Sequence, residues 1–459
     1  MPITDLDGTI RSLLQDSWAT VLPACRSRLV PRDLSLGKLD DPAPGNLVKV
    51  IAGMRRSGKT FRLFQAIDEL EASGVEPERI CYFNFDDDRI RPYAPDVISR
   101  VLETFFEMEP TARAKGAYLL FDEVQDVPGW GVTLRRIVDT EKCTVLLTGS
   151  SSRLLSSDLA TEFRGRAITY ELLPYGFRES LRANGREPAP QGPRGKEEET
   201  ICRAAFKNYL AHGGFPATYG REPGERVQML QSYAQMTVAR DVLERNRFSN
   251  PSFVSNLARI AVSSSARDFS ISRINHMGKS SGYSPGRAAI ASMIEALEDA
   301  HLLYGVYQFT HSAQKLRKGG YKLYAADPGL MVAMSPATSD GMPRALETSV
   351  YLELRRRFPA ARAAEISLAK LPSGKEVDFV VGDEAFGVAY GLYQVCYALG
   401  NGRTKDREIG ALVEGMQAFD VRKGTIVTLD EEDEIETDAG MVHVVPAWKW
   451  MLDPNEEEE

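Results

Sequence analysis

The clearest chemistry in the chain lies in Gly53-Met54-Arg55-Arg56-Ser57-Gly58-Lys59-Thr60, a full match to the pattern G-x-x-x-x-G-K-[ST]. In such a loop the glycines let successive backbone N–H groups turn inward around phosphate oxygens, and the helix that follows adds the positive end of its dipole. Lys59 is then placed for the β- and γ-phosphates and Thr60 for magnesium, with Gly53, Arg55, Arg56, Ser57 and Gly58 forming the cradle. A second stretch, Tyr118-Leu119-Leu120-Phe121-Asp122-Glu123, is an apolar run ending in two acids. That is how a buried parallel strand reads when its C-terminal end delivers carboxylates to a site outside the sheet. Asp122 fits the acid that holds magnesium through water, and Glu123 the base that orients or deprotonates the attacking water. The next buried run, Cys143 to Leu147, stops at Thr148-Gly149-Ser150-Ser151-Ser152, polar side chains expected between the loop and the acids. Ser150 is the candidate γ-phosphate contact there. Beyond it, Arg164 and Arg166 are candidates to reach a γ-phosphate of the same or a neighbouring chain, and Arg166 is taken as the catalytic arginine.

The flanking patterns supply the elements that must hold these groups. Leu47 to Ile51 reads as a strand running into the loop, and Phe61 to Ile67 leaves it with helical spacing. A strand over Arg79–Phe85, a helix over about 96–108, a helix through Leu134–Val138 and a strand over Ile168–Leu173 complete an alternation that predicts an α/β domain with a mainly parallel sheet. Ahead of it, Ile10 to Leu22 reads as a helix, and Arg28, Leu29 and Pro31 in the Pro- and Gly-punctuated connection are nucleotide-contact candidates. Behind it, Glu187–Glu199 reads as a linker, followed by helices over Ile201–Ala211 and Arg226–Arg245. Phe269–Ile274, the turn at Gly282–Pro285 and Ile290–Leu297 suggest a helix-turn-helix. Two strand-like runs, Leu302–Tyr307 and Tyr321–Tyr324, bracket Lys315-Leu316-Arg317-Lys318-Gly319-Gly320, the expected basic wing of a winged helix. Such a wing would touch phosphates without reading sequence.

At 459 residues, 43% hydrophobic and 26% charged, the chain reads as soluble, globular and multidomain. It has no apolar run of membrane-spanning length, and Met1-Pro2-Ile3-Thr4-Asp5 lacks the charge and apolar stretch of a signal peptide, so the expectation is a cytoplasmic protein without membrane contact. The five cysteines are scattered, which argues against a disulfide framework or a zinc site. Of the formal charge of −8, the stretch from Asp430 to Glu459 carries −11 (twelve acids, one lysine), leaving +3 for the rest. A nearly neutral body neither demands nor forbids a nucleic-acid partner.

Taken together the motifs resemble bacterial and archaeal AAA-type ATP-binding proteins that carry a C-terminal domain of unknown function. The resemblance rests on the P-loop, Asp122-Glu123-Val124-Gln125 with Trp130, Leu147-Thr148-Gly149-Ser150-Ser151, Gly165-Arg166, Leu173-Pro174-Tyr175-Gly176-Phe177, Gly213-Gly214-Phe215-Pro216, Tyr324 to Leu330, Gln394-Val395-Cys396-Tyr397 and Pro446 to Trp450. Two positions depart from the pattern: Ser151 stands where asparagine is common, and Tyr175-Gly176-Phe177 where Leu-Ser-Phe is usual. The first leads to an expectation of slow hydrolysis. The resemblance implies ATP and magnesium as ligands and a restriction-nuclease-like fold for the last domain. There Glu347, Glu376 and Asp378 are candidate acids, but the strand that should carry Glu-x-Lys reads Gln394-Val395-Cys396, so cleavage is expected to be absent. Lys375 is the candidate counter-charge for those acids.

The expected organisation is an N-terminal helix and nucleotide-flanking segment (1–46), a P-loop AAA-type ATPase domain (47–186), a linker (187–199), a helical and winged-helix domain (200–335), a degenerate nuclease-like domain (336–452) and an acidic tail (453–459). The expected function is a slow, magnesium-dependent ATPase acting as a nucleotide-controlled switch for its C-terminal half, with a nucleic acid, a protein or a second copy of the chain as partner. The alternative is a nucleic-acid-binding or nuclease-related protein in which ATP only regulates.

Overall fold

The computed structural model describes residues 5–150, 163, 165–189, 195–280, 283, 285–310, 321–336, 341–359, 364–400 and 402–453. The proposed wing at Lys315–Gly320, the closing Glu456–Glu459 and part of the 187–199 linker lie outside them. The chain forms two compact units, Met1–Leu172 and Leu173–Glu459.

The first unit opens with α1 (Leu6–Asp16). It begins four residues earlier than periodicity suggested, because the Asp5 carboxylate accepts a hydrogen bond from Gly8 N at 2.9 Å and caps the helix. A wide turn over Ser17–Val21 carries it into α2 (Leu22–Arg26). There follow β1 (Val48–Ala52), α3 (Lys59–Ala72), β2 (Ile80–Asn84), α4 (Val97–Met108), α5 (Pro110–Lys115), β3 (Ala117–Asp122), α6 (Trp130–Thr140), β4 (Cys143–Gly149) and β5 (Ala167–Glu171). The strands form one sheet in the order β2-β3-β4-β1-β5, every neighbouring pair parallel.

Each central strand is buried on both faces, and its residues alternate between two cores. Val48, Val50, Leu119, Phe121, Val145 and Leu147 pack with α1, α4 and α6. Ile51, Tyr118, Leu120 and Leu146 pack with Leu63, Phe64 and Ile67 of α3. Lys49 breaks the apolar run of β1, yet it is buried, and its ammonium donates to Leu36 O (2.6 Å) and Lys38 O (2.7 Å). It thereby ties the segment before β1 onto the α3 face of the sheet.

The second unit contains α7 (Phe177–Ala183), α8 (Gly195–His212), α9 (Pro223–Thr237), α10 (Pro251–Ser263), β6 (Arg267–Phe269), α11 (Ile271–Ser280), α12 (Arg287–Asp299), β7 (Leu303–Val306), β8 (Tyr321–Ala325), α13 (Pro328–Met334), α14 (Gly341–Arg357), β9 (Glu365–Lys370), β10 (Glu376–Asp383), β11 (Val388–Cys396), α15 (Arg403–Phe419), β12 (Lys423–Thr428), β13 (Asp433–Thr437), β14 (Gly440–Pro446) and α16 (Ala447–Trp450). β6, β8 and β7 form an antiparallel sheet in that order. The larger sheet runs β13-β14-β12-β11-β10-β9. Its β9-β10-β11 portion is an antiparallel meander, after which α15 crosses over to set β12 parallel to β11. The two sheets are joined where Leu368 N donates to Tyr307 O and Phe309 N to Leu368 O, both at 2.8 Å.

Three glycine-bearing motifs meet in this unit. Asp327 accepts from Gly214 N (2.6 Å) and Leu330 N (2.9 Å), and Tyr175 N donates to Gly214 O (2.8 Å). A Cβ on Gly214 would overlap the Tyr175 carbonyl, and one on Gly329 the His212 carbonyl. Glycine is required at both positions for the backbones to approach this closely.

Candidate functional site

The two-residue period of the strands decides which face the polar groups take. In β3, Tyr118 and Leu120 face α3, so Asp122 does too. In β4, Leu146 faces α3, and Thr148 follows it. Because β4 lies between β1 and β3, Thr148 stands beside Asp122.

Asp122 Oδ2 accepts from Thr60 Oγ1 at 2.6 Å and from the Tyr82 hydroxyl at 3.3 Å, while Oδ1 accepts from the Thr148 hydroxyl. Thr148 Oγ1 in turn accepts from Glu123 N at 3.1 Å. Glu123 has a left-handed φ of 53°, uncommon for a residue with a side chain. Its Oε1 lies 3.2 Å from Lys59 Nζ, and its Oε2 accepts from Gln125 Nε2 at 2.7 Å. Lys59 also donates to Gly53 O (3.0 Å) and Met54 O (3.3 Å), so all three of its N–H groups have acceptors.

Burial drives both carboxyls upward in pKa, but the two part company. Asp122 stays raised because the neighbouring Glu123 charge adds to burial, against the hydrogen bonds from Thr148 and Thr60. For Glu123 burial is outweighed by the Lys59 ammonium, the Gln125 hydrogen bond and the Arg55 charge, which hold it below the usual carboxylate range. Glu123 is therefore the more readily ionised of the two.

The loop itself is shaped for close approach. A Cβ on Gly53 would overlap Leu172 O, Gly58 has a φ of 104°, and Arg56 takes a φ of 69°. Ser57 is fully buried, and its hydroxyl has no hydrogen-bond partner among the described residues. An unsatisfied buried hydroxyl costs stability unless something fills the place. A phosphate would supply acceptors for Ser57 and Lys59, and the hard oxygens of Thr60 and Asp122 suit magnesium. The residues present thus fit both ligands.

Arg32, missed in the sequence reading, is buried against the loop: its Nη1 donates to Ser57 O at 2.9 Å, and its N–H donates to Gln65 Oε1 of α3 at 3.0 Å. It sits next to Pro31, one of the residues singled out in that segment, but nothing local marks the arginine itself.

Ser150 follows β4 and is fully buried. Ser151 and Arg164 lie outside the described residues. Arg166 is not brought to the site. β5 runs parallel to β1 with Ala167 opposite Val48, so Arg166 stands at the entrance of the central strand while the loop leaves at its exit. The length of β1, about 13 Å at a rise of about 3.3 Å per residue, separates them. There Arg166 pairs with Asp139, and its carbonyl accepts from Val48 N at 2.9 Å. The expectation that it serves the γ-phosphate of its own chain is corrected accordingly.

Comparison with known proteins agrees with this geometry. Residues 45–181 match the family profile described as "AAA domain", and residues 203–341 match one described as "Domain of unknown function (DUF8612)". The uncharacterized protein MJ1544 of Methanocaldococcus jannaschii is 30% identical over 440 residues, covering 94% of this chain and 92% of its own length. An uncharacterized protein of Haemophilus influenzae is 25% identical over 352 residues, covering 77% of this chain and 84% of its own. Among solved structures, the Walker-type ATPase PABY2304 of Pyrococcus abyssi aligns over 63% of this chain and 91% of its own, at 15% identity and a TM-score of 0.40. With a parallel sheet ordered β2-β3-β4-β1-β5, a P-loop between β1 and α3 and acids at the end of β3, the chain belongs to the AAA-type P-loop family that includes the Methanocaldococcus jannaschii protein.

Proposed function

We propose that the chain is a slow, magnesium-dependent ATPase whose nucleotide state controls its C-terminal half. The observation that carries this reading is the convergence of Lys59, Thr60, Asp122 and Glu123 from one helix start and one strand end, within hydrogen-bond reach of one another. Bound magnesium would neutralise charge on the phosphates and orient them. Thr60 and Asp122 are the residues that would hold it. Lys59 binds the β- and γ-phosphates, Ser57 and the loop N–H groups the remaining oxygens, and Ser150 senses the γ-phosphate. Glu123, ionised and steadied by Gln125, takes the proton of the attacking water.

Glu123 Oε1 lies 3.2 Å from Lys59 Nζ, a pairing with which a phosphate on Lys59 competes. Phosphate binding to Lys59 releases Glu123, which couples occupancy to the readiness of the base. Arg166 remains a candidate only toward a neighbouring copy of the chain.

For the C-terminal half we propose a winged helix, on the succession α10, β6, α11, α12, β7, β8 with its antiparallel β6-β8-β7 sheet, and after it a nuclease-like domain without nuclease activity. The first supports a nucleic-acid partner as the second reading.

The test is hydrogen exchange over residues 200–452 with and without ATP and magnesium, together with ATP turnover with and without DNA or RNA. Nucleotide-dependent protection there supports the switch. Exchange that is identical in both states removes it, and turnover that requires DNA or RNA favours the second reading.

A further inference from the structure

The resemblance to nucleases implies a divalent metal among the acids of the last domain, and the residues present do not fit one. Glu347 on α14 and Glu376 and Asp378 on β10 converge on a single point, and at that point stands the ammonium of Lys322 from β8. Its Nζ lies 3.0 Å from Glu347 Oε1, 2.9 Å from Glu376 Oε1 and 3.0 Å from Asp378 Oδ1. The ammonium donates to Glu347 and Asp378, and Glu376 completes the group as an ion-pair partner. Lys322 and Asp378 are both buried, each 8% exposed. Lys375, the expected counter-charge, is instead beside Glu414 at 3.9 Å.

The cluster differs from an ordinary ion pair, because carboxylates of α14 and β10 share one ammonium. Around that ammonium the Tyr324 hydroxyl donates to Glu347 Oε1 at 2.8 Å, and Lys370 Nζ lies 4.0 Å from Glu376 Oε2. The pairing of β10 with β9 shifts register between Val377 and Val380, so Asp378 sits at an irregularity of the kind that re-aims a side chain. Asp378 N then donates to Gln394 Oε1 (3.3 Å), and Gln394 Nε2 donates to Glu408 Oε2 (2.7 Å). Gln394, which stands where the nuclease resemblance implies a metal-binding acid, is a neutral brace between Asp378 N and Glu408.

We propose that Lys322 is the resident cation of this cluster, occupying the place of a divalent metal and fastening the β6-β8-β7 sheet to the acids of α14 and β10. The cluster therefore takes no metal while Lys322 is present, and becomes a metal site when it is removed. The test uses Mn2+ as the probe on the full chain without nucleotide, read by the loss of the free-ion paramagnetic signal. Lys322→Ala should bind one more Mn2+ per chain than the wild type, and adding Asp378→Asn to it should abolish that gain. In the wild type, Asp378→Asn should leave Mn2+ binding unchanged.

Lys322→Gln repeats the experiment with less change of volume should the alanine variant fold poorly. Recovery of folding by Mn2+ in either variant counts for the proposal. Wild-type Mn2+ binding that Asp378→Asn removes would overturn it. So would Lys322→Ala and Lys322→Gln chains that gain no ion, whether they fold without Mn2+ or stay unfolded in its presence.

Discussion

Replacing Glu123 by glutamine removes one charge and almost no volume, and it separates the residue's two proposed roles. The Glu123 carboxylate lies 3.2 Å from the Lys59 ammonium, with both side chains largely buried. At an effective dielectric constant of about 20, that separation corresponds to a gross attraction of about 5 kcal/mol, most of it offset by desolvation of both ions. The amide oxygen of glutamine can still accept from Lys59, so the expected loss of folding stability is about 1–3 kcal/mol, below the figure of about 3–5 kcal/mol for a buried partner removed outright. The same weakening frees Lys59 for phosphate. ATP affinity should be unchanged or up to about tenfold tighter, since about 1.4 kcal/mol corresponds to a factor of ten. Turnover should fall by about 10²–10⁴, the usual contribution of a positioned base. Calorimetric titration with ATP and magnesium and steady-state phosphate release measure the two effects on one preparation. A variant that turns over within about threefold of the wild type, or that loses ATP affinity by more than about tenfold, would refute the reasoning.

Lys59→Ala should lose nucleotide affinity, read by titration of a fluorescent ATP analogue, because it removes the ammonium assigned to the β- and γ-phosphates. Arg166→Ala should leave ATP binding intact; if the residue acts on a neighbouring copy, turnover per chain rises with protein concentration in the wild type and not in the variant. Gly214→Ala should destabilise the second unit by about 1–3 kcal/mol in urea unfolding, since its Cβ would meet the Tyr175 carbonyl. Asp327 supplies a pH dependence. Burial raises its carboxyl to about 6, above the ordinary 3.8, against the hydrogen bonds from Gly214 and Leu330. The folded state therefore holds the proton more tightly, and this residue's contribution to stability is greatest below pH 4 and declines as pH rises through 6. Unfolding followed across that window should show a steeper decline in the wild type than in Asp327→Asn.

The sequence carried the parts of the site that are local. A P-loop is contiguous, and an apolar run ending in Asp-Glu announces both its strand and the end at which its acids emerge. The alternation of strands and helices up to about residue 175 likewise pointed to the parallel sheet that the structure contains. Contacts between distant segments were not legible. Arg32 reaches the loop because Lys49 and Arg62 hold the segment before β1 by its backbone carbonyls, and no pattern in residues 28–45 encodes that. Arg166 read as a candidate from residue type and proximity to the loop in sequence, whereas the register of β5 against β1 sends it to the other end of the sheet. Lys322 belonged, by sequence, to a strand of the proposed winged helix, and only the meeting of β8 with α14 and β10 shows that it pairs with their acids. The start of α1 was misjudged for a more local reason: a single capping aspartate outweighed the apolar period.

The central claim is that the P-loop site binds and hydrolyses ATP with magnesium, and phosphate release by the purified chain tests it most directly. The account predicts release that requires magnesium, stops in EDTA, and is lost in Lys59→Ala at every ATP concentration that saturates the wild type. Release that persists at the wild-type rate in Lys59→Ala would contradict it, as would a wild-type chain that neither binds nor turns over ATP in the presence of magnesium.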